Sequence, residues 1–234
     1  MTSPDLYNNY EHWKRWDQSN FFKVDRSEEK YLSKEIGRYQ LNGKKLLELG
    51  FGNATKLAWA AQRGAIVFGT EINDKMCKRA SSAGIEVLPA DFCILKCEYR
   101  DNFDIIIAYD VFEHLSIEHV REALVAVSEM LHKDGVLIAR FPNGRSPLGR
   151  TYQHADHTHR SVLSDAIIEQ LSKDLNMSLK CRGSGDYIFM PTSLKIFTSN
   201  VKSIVRLLSG RFIQTLYDID TPICSNIIVH LQKG

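Results

Sequence analysis

In the run Glu48-Leu49-Gly50-Phe51-Gly52-Asn53-Ala54-Thr55, an apolar stretch ends in a carboxylate and passes into two spaced glycines. Such a turn lets a ligand approach the backbone, and a helix starting just beyond it offers the positive end of its dipole. Glu71 closes the next apolar run, 19 residues after Gly52. In a dinucleotide-binding fold an acid at that position accepts hydrogen bonds from ribose hydroxyls. Two cofactors suit this geometry, and Glu48 separates them. NAD would set a pyrophosphate on a loop beside a carboxylate, with Thr55 where the dinucleotide fingerprint has a third glycine. S-adenosylmethionine carries an ammonium, a sulfonium and no phosphate, so Glu48 favours it.

The second chemistry-bearing stretch runs from Phe141 to Arg160 and holds His154, His157 and His159 together with Arg145, Arg150 and Arg160, just after Arg140. Imidazole titrates near neutrality, so one of these histidines could take a proton from an acceptor hydroxyl, with His159 the favoured base. The alternative is a solvated loop leading to a helix near Ser164. Guanidinium groups grip phosphate or carboxylate in a fork, which would suit an anionic acceptor through Arg140, Arg145, Arg150 and Arg160; a basic surface loop is the competing reading. His154, Asp156, His157 and His159 could ligate zinc or manganese, yet i, i+2 spacing in a loop fixes no geometry, so no metal is assigned.

These groups need a scaffold, and the rest of the sequence supplies one. Between Leu41 and Phe141, β-type runs at Lys45–Leu49, Ile66–Thr70, Ile85–Pro89, Phe103–Tyr109 and Gly135–Phe141 alternate with helical patterns at Ala54–Arg63, Asp74–Ala83 and Ile117–His132. That rhythm predicts a doubly wound, mostly parallel α/β sheet. Gly64, Gly84 and Gly135 lie where left-handed residues end helices. Beyond Phe141 the pattern predicts a helix at Ser164–Leu175 and strands at Ser178–Arg182 and Asn226–Leu231. An amphipathic helix over Ser193–Leu208 forms either a pocket wall or a dimer surface. Near the start, Tyr7, Tyr10, Trp13, Trp16, Phe21 and Phe22 share one helix face. They either pack or, through Trp13 and Trp16, close over the cofactor.

The 234 residues, 44% hydrophobic and 25% charged, describe an ordinary globular chain, with neither low complexity nor disorder. A net charge of +2 is too weak to argue for nucleic acid as partner. No apolar run reaches the ~18 residues of a membrane helix, so a cytoplasmic location is expected. Five cysteines without a C-x-x-C pair read as reduced, mostly buried thiols. One domain is expected over 1–234, with an N-terminal cap (1–40), a cofactor-binding core (41–182), a substrate-side insertion (183–222) and a closing strand (223–234).

From Leu46 to Arg182 the chain resembles the class I S-adenosylmethionine-dependent methyltransferases. Glu48 to Gly52 is similar to their first motif, and Glu71 to their ribose-binding acid. Ala90-Asp91-Phe92 resembles the element that meets the adenine amine, and Phe103 to Leu115 their fourth-strand motif. Leu131-His132-Lys133-Asp134-Gly135 departs slightly, with one glycine where the family usually has two. The resemblance implies a Rossmann-like, seven-stranded methyltransferase fold. It places Glu48, Gly50, Gly52, Glu71, Ile72, Asp91, Phe92, Tyr109 and Asp110 around the cofactor. Glu113 and His114 begin the turn after the fourth strand, where capping competes with substrate contact; His114, His157 and His159 are the catalytic candidates. Phe141-Pro142-Asn143 followed by Asp156-His157-Thr158-His159 is similar to methyltransferases of bacterial surface-polysaccharide synthesis. This implies transfer to an oxygen of a small, sugar-based acceptor, with Arg145, Arg150, His154, Arg160, Trp13 and Trp16 on the substrate side. An amine or quinone-like aromatic acceptor, an NAD-binding oxidoreductase and a cofactor-binding partner subunit stay open as alternatives.

Overall fold

Leucine, isoleucine and valine crowd the runs that become the central strands, and their alternation sends neighbouring side chains into two separate cores. In the computed structural model, which describes residues 18–185, 205, 208–218 and 223–234, β1 (Lys45–Leu49), β2 (Ile66–Thr70), β3 (Glu86–Leu88), β4 (Phe103–Tyr109), β5 (Leu131–Pro142), β6 (Met177–Ser184) and β7 (Asn226–Lys233) form one seven-stranded sheet. Its order is β3-β2-β1-β4-β5-β7-β6. The first five strands pair in parallel, whereas β7 runs antiparallel to both β5 and β6. This is the Rossmann-like methyltransferase fold.

The crossover helices cover both faces, as parallel strands require. Leu46, Ile105, Ile107, Val136 and Ile138 point to the side packed by α1 (Arg26–Glu35), α2 (Thr55–Ala61) and α3 (Asp74–Ser82), where Trp59 is wholly buried. Leu47, Leu49, Ile106, Ala108 and Leu137 point the other way. There they meet α4 (Phe92–Glu98), α5 (Ile117–Met130) and α7 (Asp165–Ser172); a short α6 (Gly149–Gln153) precedes α7. Side-chain caps start five of these helices, α2 and α6 being the exceptions. Asp25 and Glu28 form a reciprocal capping box on α1, and Asn73, Asp91, Ser116 and Ser164 cap α3, α4, α5 and α7.

Several expectations change. The helix expected to run to His132 ends at Met130, because the amides of Asp101 and Asn102 take the carbonyls of Glu129 and Met130 and Leu131 pairs with Phe103. Gly135 therefore caps no helix; Asp134, at φ 64°, makes the left-handed turn inside β5. Gly64 and Gly84 do adopt the left-handed conformation expected of them. α1 falls within the helical cap expected over 1–40, whereas α4, and α6 inside the stretch expected as a polar loop, are helices that the sequence pattern did not announce. Of the cysteines only Cys224 is buried; Cys93 and Cys97 are exposed, and all five are free thiols. Among the described residues no helix is long and apolar enough to cross a membrane. Tyr7, Tyr10, Trp13 and Trp16, and most of Ser193–Leu208, lie outside the described residues.

Candidate active site

The sheet order reverses between β1 and β4, and ligands of open α/β sheets bind outside the carboxyl ends of the strands at such a point. A cleft of about 1380 Å³ opens there. Its floor is the β1 turn. Gly50 and Gly52 both sit at positive φ, 62° and 51°, where an L side chain would be strained. Thr70 accepts from the Gly50 amide at 3.4 Å and Glu71 from the Gly52 amide at 2.9 Å. The segment before α1 braces the same turn: the Phe22 amide donates to the Asn53 carbonyl, and the Asn53 side chain donates to the Asn20 carbonyl.

Glu48 is fully buried beneath this turn, with Lys56 Nζ 2.7 Å from Oε1 as an ion pair. Burial pushes its pKa up to about 7, against the pull of Lys56. Glu48 itself does not line the cleft; its partner Lys56 does. Glu71 also accepts from the amides of Ile72 and Asn73, at 2.8 and 3.0 Å. Its carboxylate thus ties the glycine turn to the β2–α3 turn while facing the cleft. Burial raises its pKa, opposed by those amide hydrogen bonds. Ile72, half exposed, and Phe92 supply apolar walls, as an adenine ring requires. Asp91 caps α4 through Oδ1 at 2.7 and 3.2 Å from two amides and still lines the cleft, so the capping role and a cofactor contact are compatible. On this half of the cleft, the carboxylates of Glu71 and Asp91 and an apolar slot fit an adenosyl group.

The β4–β5 half differs. Tyr109 lines it with a buried hydroxyl that has no hydrogen-bond partner among the described residues, and burial drives that phenol's pKa well up. Asp110, at φ 57°, receives a two-pronged contact from Arg140, with Nε 3.0 Å from Oδ1 and a second guanidinium nitrogen on Oδ2. Arg140 also donates to the Tyr31 hydroxyl at 3.3 Å and lies over the Tyr109 ring. Although burial disfavours its charge, Asp110 and Tyr31 push its pKa above the ordinary arginine value.

His114 and Arg160 line this half too. The His114 and His159 rings meet edge to face, with centroids 4.7 Å apart. Thr158 Oγ1 lies 2.9 Å from His114 Nδ1 and donates to Asp156 Oδ1 at 2.5 Å. Because that hydroxyl proton is committed to Asp156, the His114 Nδ1–H donates to Thr158. Burial alone would raise the Asp156 pKa, but the Thr158 hydroxyl and amide and the two neighbouring histidines hold it below the usual carboxylate range.

The placement of the substrate-side candidates redistributes their roles. His159 does not line the cleft; its side chain, 7% exposed, sits behind His114. The first group an acceptor would meet is therefore His114. His154 and His157 are exposed outside the cleft, as is Arg150. Arg145 faces Asp165 at 3.5 Å, where Arg182 also pairs at 2.7 Å, so it braces α7 and β6 and does not line the cleft. Of the arginines expected around an anion, Arg140 and Arg160 reach the cleft, and Arg140 is already tied to Asp110. Trp13 and Trp16 lie outside the described residues. Lys56 and Tyr31 escaped the sequence reading; Thr158 entered it only as part of a motif, and Arg140 only as one of the arginines that could grip an anion. The Arg140 partnership follows from the register Tyr109↔Arg140 between β4 and β5, which a list of strands does not supply.

Residues 47–139 match a family model described as a methyltransferase domain. No curated protein matches the chain. A solved SAM-dependent methyltransferase from Archaeoglobus fulgidus is 16% identical at a TM-score of 0.67, covering 97% of this chain and 99% of that one. An S-adenosylmethionine-dependent methyltransferase from Mesorhizobium loti is 16% identical at a TM-score of 0.57, over 83% and 93% of the two chains. Magnesium protoporphyrin IX methyltransferase from Synechocystis, solved with bound SAH, is 15% identical at a TM-score of 0.62, over 99% and 98%. At such identities the likeness is one of fold.

Proposed function

We propose that this chain is an S-adenosylmethionine-dependent methyltransferase and that it moves the methyl group to an oxygen of a small, sugar-based acceptor. The observation that carries the cofactor half is buried Glu48 under the Gly50–Gly52 turn. A carboxylate there attracts the ammonium of S-adenosylmethionine and repels the pyrophosphate of NAD. Glu71 would hold the ribose hydroxyls, while Asp91, Ile72 and Phe92 would frame the adenine.

Bound S-adenosylmethionine supplies an electrophilic methyl on a sulfonium, which is displaced in line. The chain's own part is to orient the acceptor and exclude water. It must also help a neutral hydroxyl lose its proton. The His114–His159 pair, braced by Thr158 and Asp156, is the place where that hydroxyl is activated. Tyr109 and Arg160 offer hydrogen-bonding partners beside it, in keeping with a hydroxylated acceptor. Arg160 gives a single guanidinium contact to an anionic group on such an acceptor, if it carries one. The likeness of Asp156-His157-Thr158-His159 to surface-polysaccharide methyltransferases supports the sugar assignment.

Calorimetric titration with S-adenosylmethionine, S-adenosylhomocysteine and NAD tests the cofactor. The first two bind and NAD does not; NAD binding alone would overturn the reading. Incubation with nucleotide sugars and free sugars then tests the acceptor by mass gain of one methyl group. Transfer only to amine or quinone-like acceptors would sink the sugar assignment while keeping the cofactor.

A further inference from the structure

We infer that Glu113, His114 and His159 form a binding site for a divalent first-row transition metal ion, such as Zn²⁺ or Mn²⁺, at the acceptor end of the cleft. Each residue offers one ligand atom, and the three atoms lie within 4.8 Å of one another. Donors around an ion with bonds of about 2.0–2.2 Å stand roughly 3.4 Å apart, so small side-chain rotations would close the set. Two imidazoles and a carboxylate suit zinc, manganese or iron and leave open coordination positions. His114 borders the cleft, so the site lies at its edge.

The surroundings are those a metal-binding histidine needs. His159 Nδ1 is 3.1 Å from the Gln153 carbonyl oxygen, which can only accept, so Nδ1 carries the hydrogen. His114 Nδ1 donates to Thr158, whose own proton goes to Asp156. In the neutral rings both histidines therefore carry the lone pair on Nε2, with orientation and basicity set by the outer partner. Asp156 Oδ2 lies 3.9 Å from His159 Nε2 and adds negative charge beside the site. Glu113, only 1% exposed, adds a buried carboxylate to the two imidazoles. The chain holds this site together from two directions: the Glu113 carbonyl accepts the amides of Arg160 at 2.7 Å and Ser161 at 3.1 Å, which pins the loop bearing His159 to the turn bearing His114.

This deepens the proposed reaction and rests on its placement of the acceptor. An ion here would bind the acceptor oxygen and lower its pKa, so that the proton leaves to solvent as the oxygen takes the methyl.

The test needs neither methyl donor nor acceptor. The full chain, stripped of metal by a chelator and dialysed, is titrated with Co²⁺, with visible d–d absorption as the readout. Wild type is expected to give bands that saturate at one equivalent. His159→Gln and Glu113→Gln should each weaken binding at least about tenfold, whereas His132→Ala, at an exposed position on β5, should bind as wild type does. Calorimetry of S-adenosylmethionine binding by the same variants reports whether they remain folded. Wild type that binds S-adenosylmethionine but gives no d–d bands would overturn the metal site and leave methyl transfer standing. Binding unchanged in both variants would overturn it as well. Co²⁺ binding without S-adenosylmethionine binding would support the site and sink the methyltransferase reading instead.

Discussion

Lys56 Nζ stands 2.7 Å from Glu48 Oε1 under the glycine turn, and the Glu48 pKa is nonetheless raised to about 7, because burial outweighs the attraction. A carboxyl whose folded pKa exceeds its unfolded value of 4.5 binds more protons folded than unfolded between those two pH values. Stability therefore falls as pH rises from about 4.5 to 7, by roughly 3 kcal/mol for this group. Glu48→Gln should remove that slope. The stability difference between pH 5 and pH 8, measured by urea unfolding, is expected to shrink by about that amount, while S-adenosylmethionine binding weakens. An unchanged pH dependence would show that Glu48 is ionised throughout.

Glu71 couples the Gly52 amide to those of Ile72 and Asn73. Glu71→Ala loses both the ribose partner and this brace, so cofactor affinity should fall by more than about tenfold, or 1.4 kcal/mol. Glu71→Gln keeps acceptor capacity and should fall between the two. Calorimetry reads both. Equal affinities for all three proteins would remove Glu71 from the cofactor site.

A pair of glycine variants separates the turn from its surroundings. At Gly50, φ is 62° and an added Cβ would come within 3.0 Å of Val111 Cγ2; at Gly84, φ is 77° and nothing lies within 4 Å. Both Gly→Ala changes should cost about 1–2 kcal/mol of backbone strain. Only Gly50→Ala should also reduce cofactor affinity, since it alone displaces a wall of the cleft. Thermal melting and calorimetry on the two variants give the comparison.

Asp110 and Arg140 join the ends of β4 and β5 through a two-pronged ion pair with the Arg140 side chain mostly buried. Asn tolerates the left-handed backbone at position 110, so Asp110→Asn removes charge without new strain. The buried guanidinium loses its counter-charge, and stability should drop by about 3 kcal/mol in denaturant titration. A loss below about 0.5 kcal/mol would mark the pair as an ordinary surface bridge.

How far the sequence reached differs between the two halves of the cleft. Gly50, Gly52, Glu71, Ile72 and Asp91 all belong to β1–α2, β2–α3 or β3–α4 connections, each a short strand-to-helix junction. Local spacing alone carries them to one sheet edge. Asp91 shows why two readings of one residue were both tenable: its Oδ1 caps α4 and the same side chain lines the cleft. His159, by contrast, looked like the exposed base of a polar loop and lies behind His114. Arg145 looked like an anion clamp and instead pairs with Asp165 beside Arg182.

By itself the sequence determined the parallel strands, the crossover helices α2, α3 and α5, and the glycine turn with its two acids. Those features rest on apolar periodicity and on backbone conformations set within a few residues. The tertiary structure alone decided what lies beyond the fourth strand. Thr158 sits beside His114 across 44 residues, and Arg140 meets Asp110 across 30. Such pairings depend on strand order, on β-register and on the loop after β5 folding back onto the Glu113 carbonyl, and no local pattern encodes a hydrogen bond made between two distant loops.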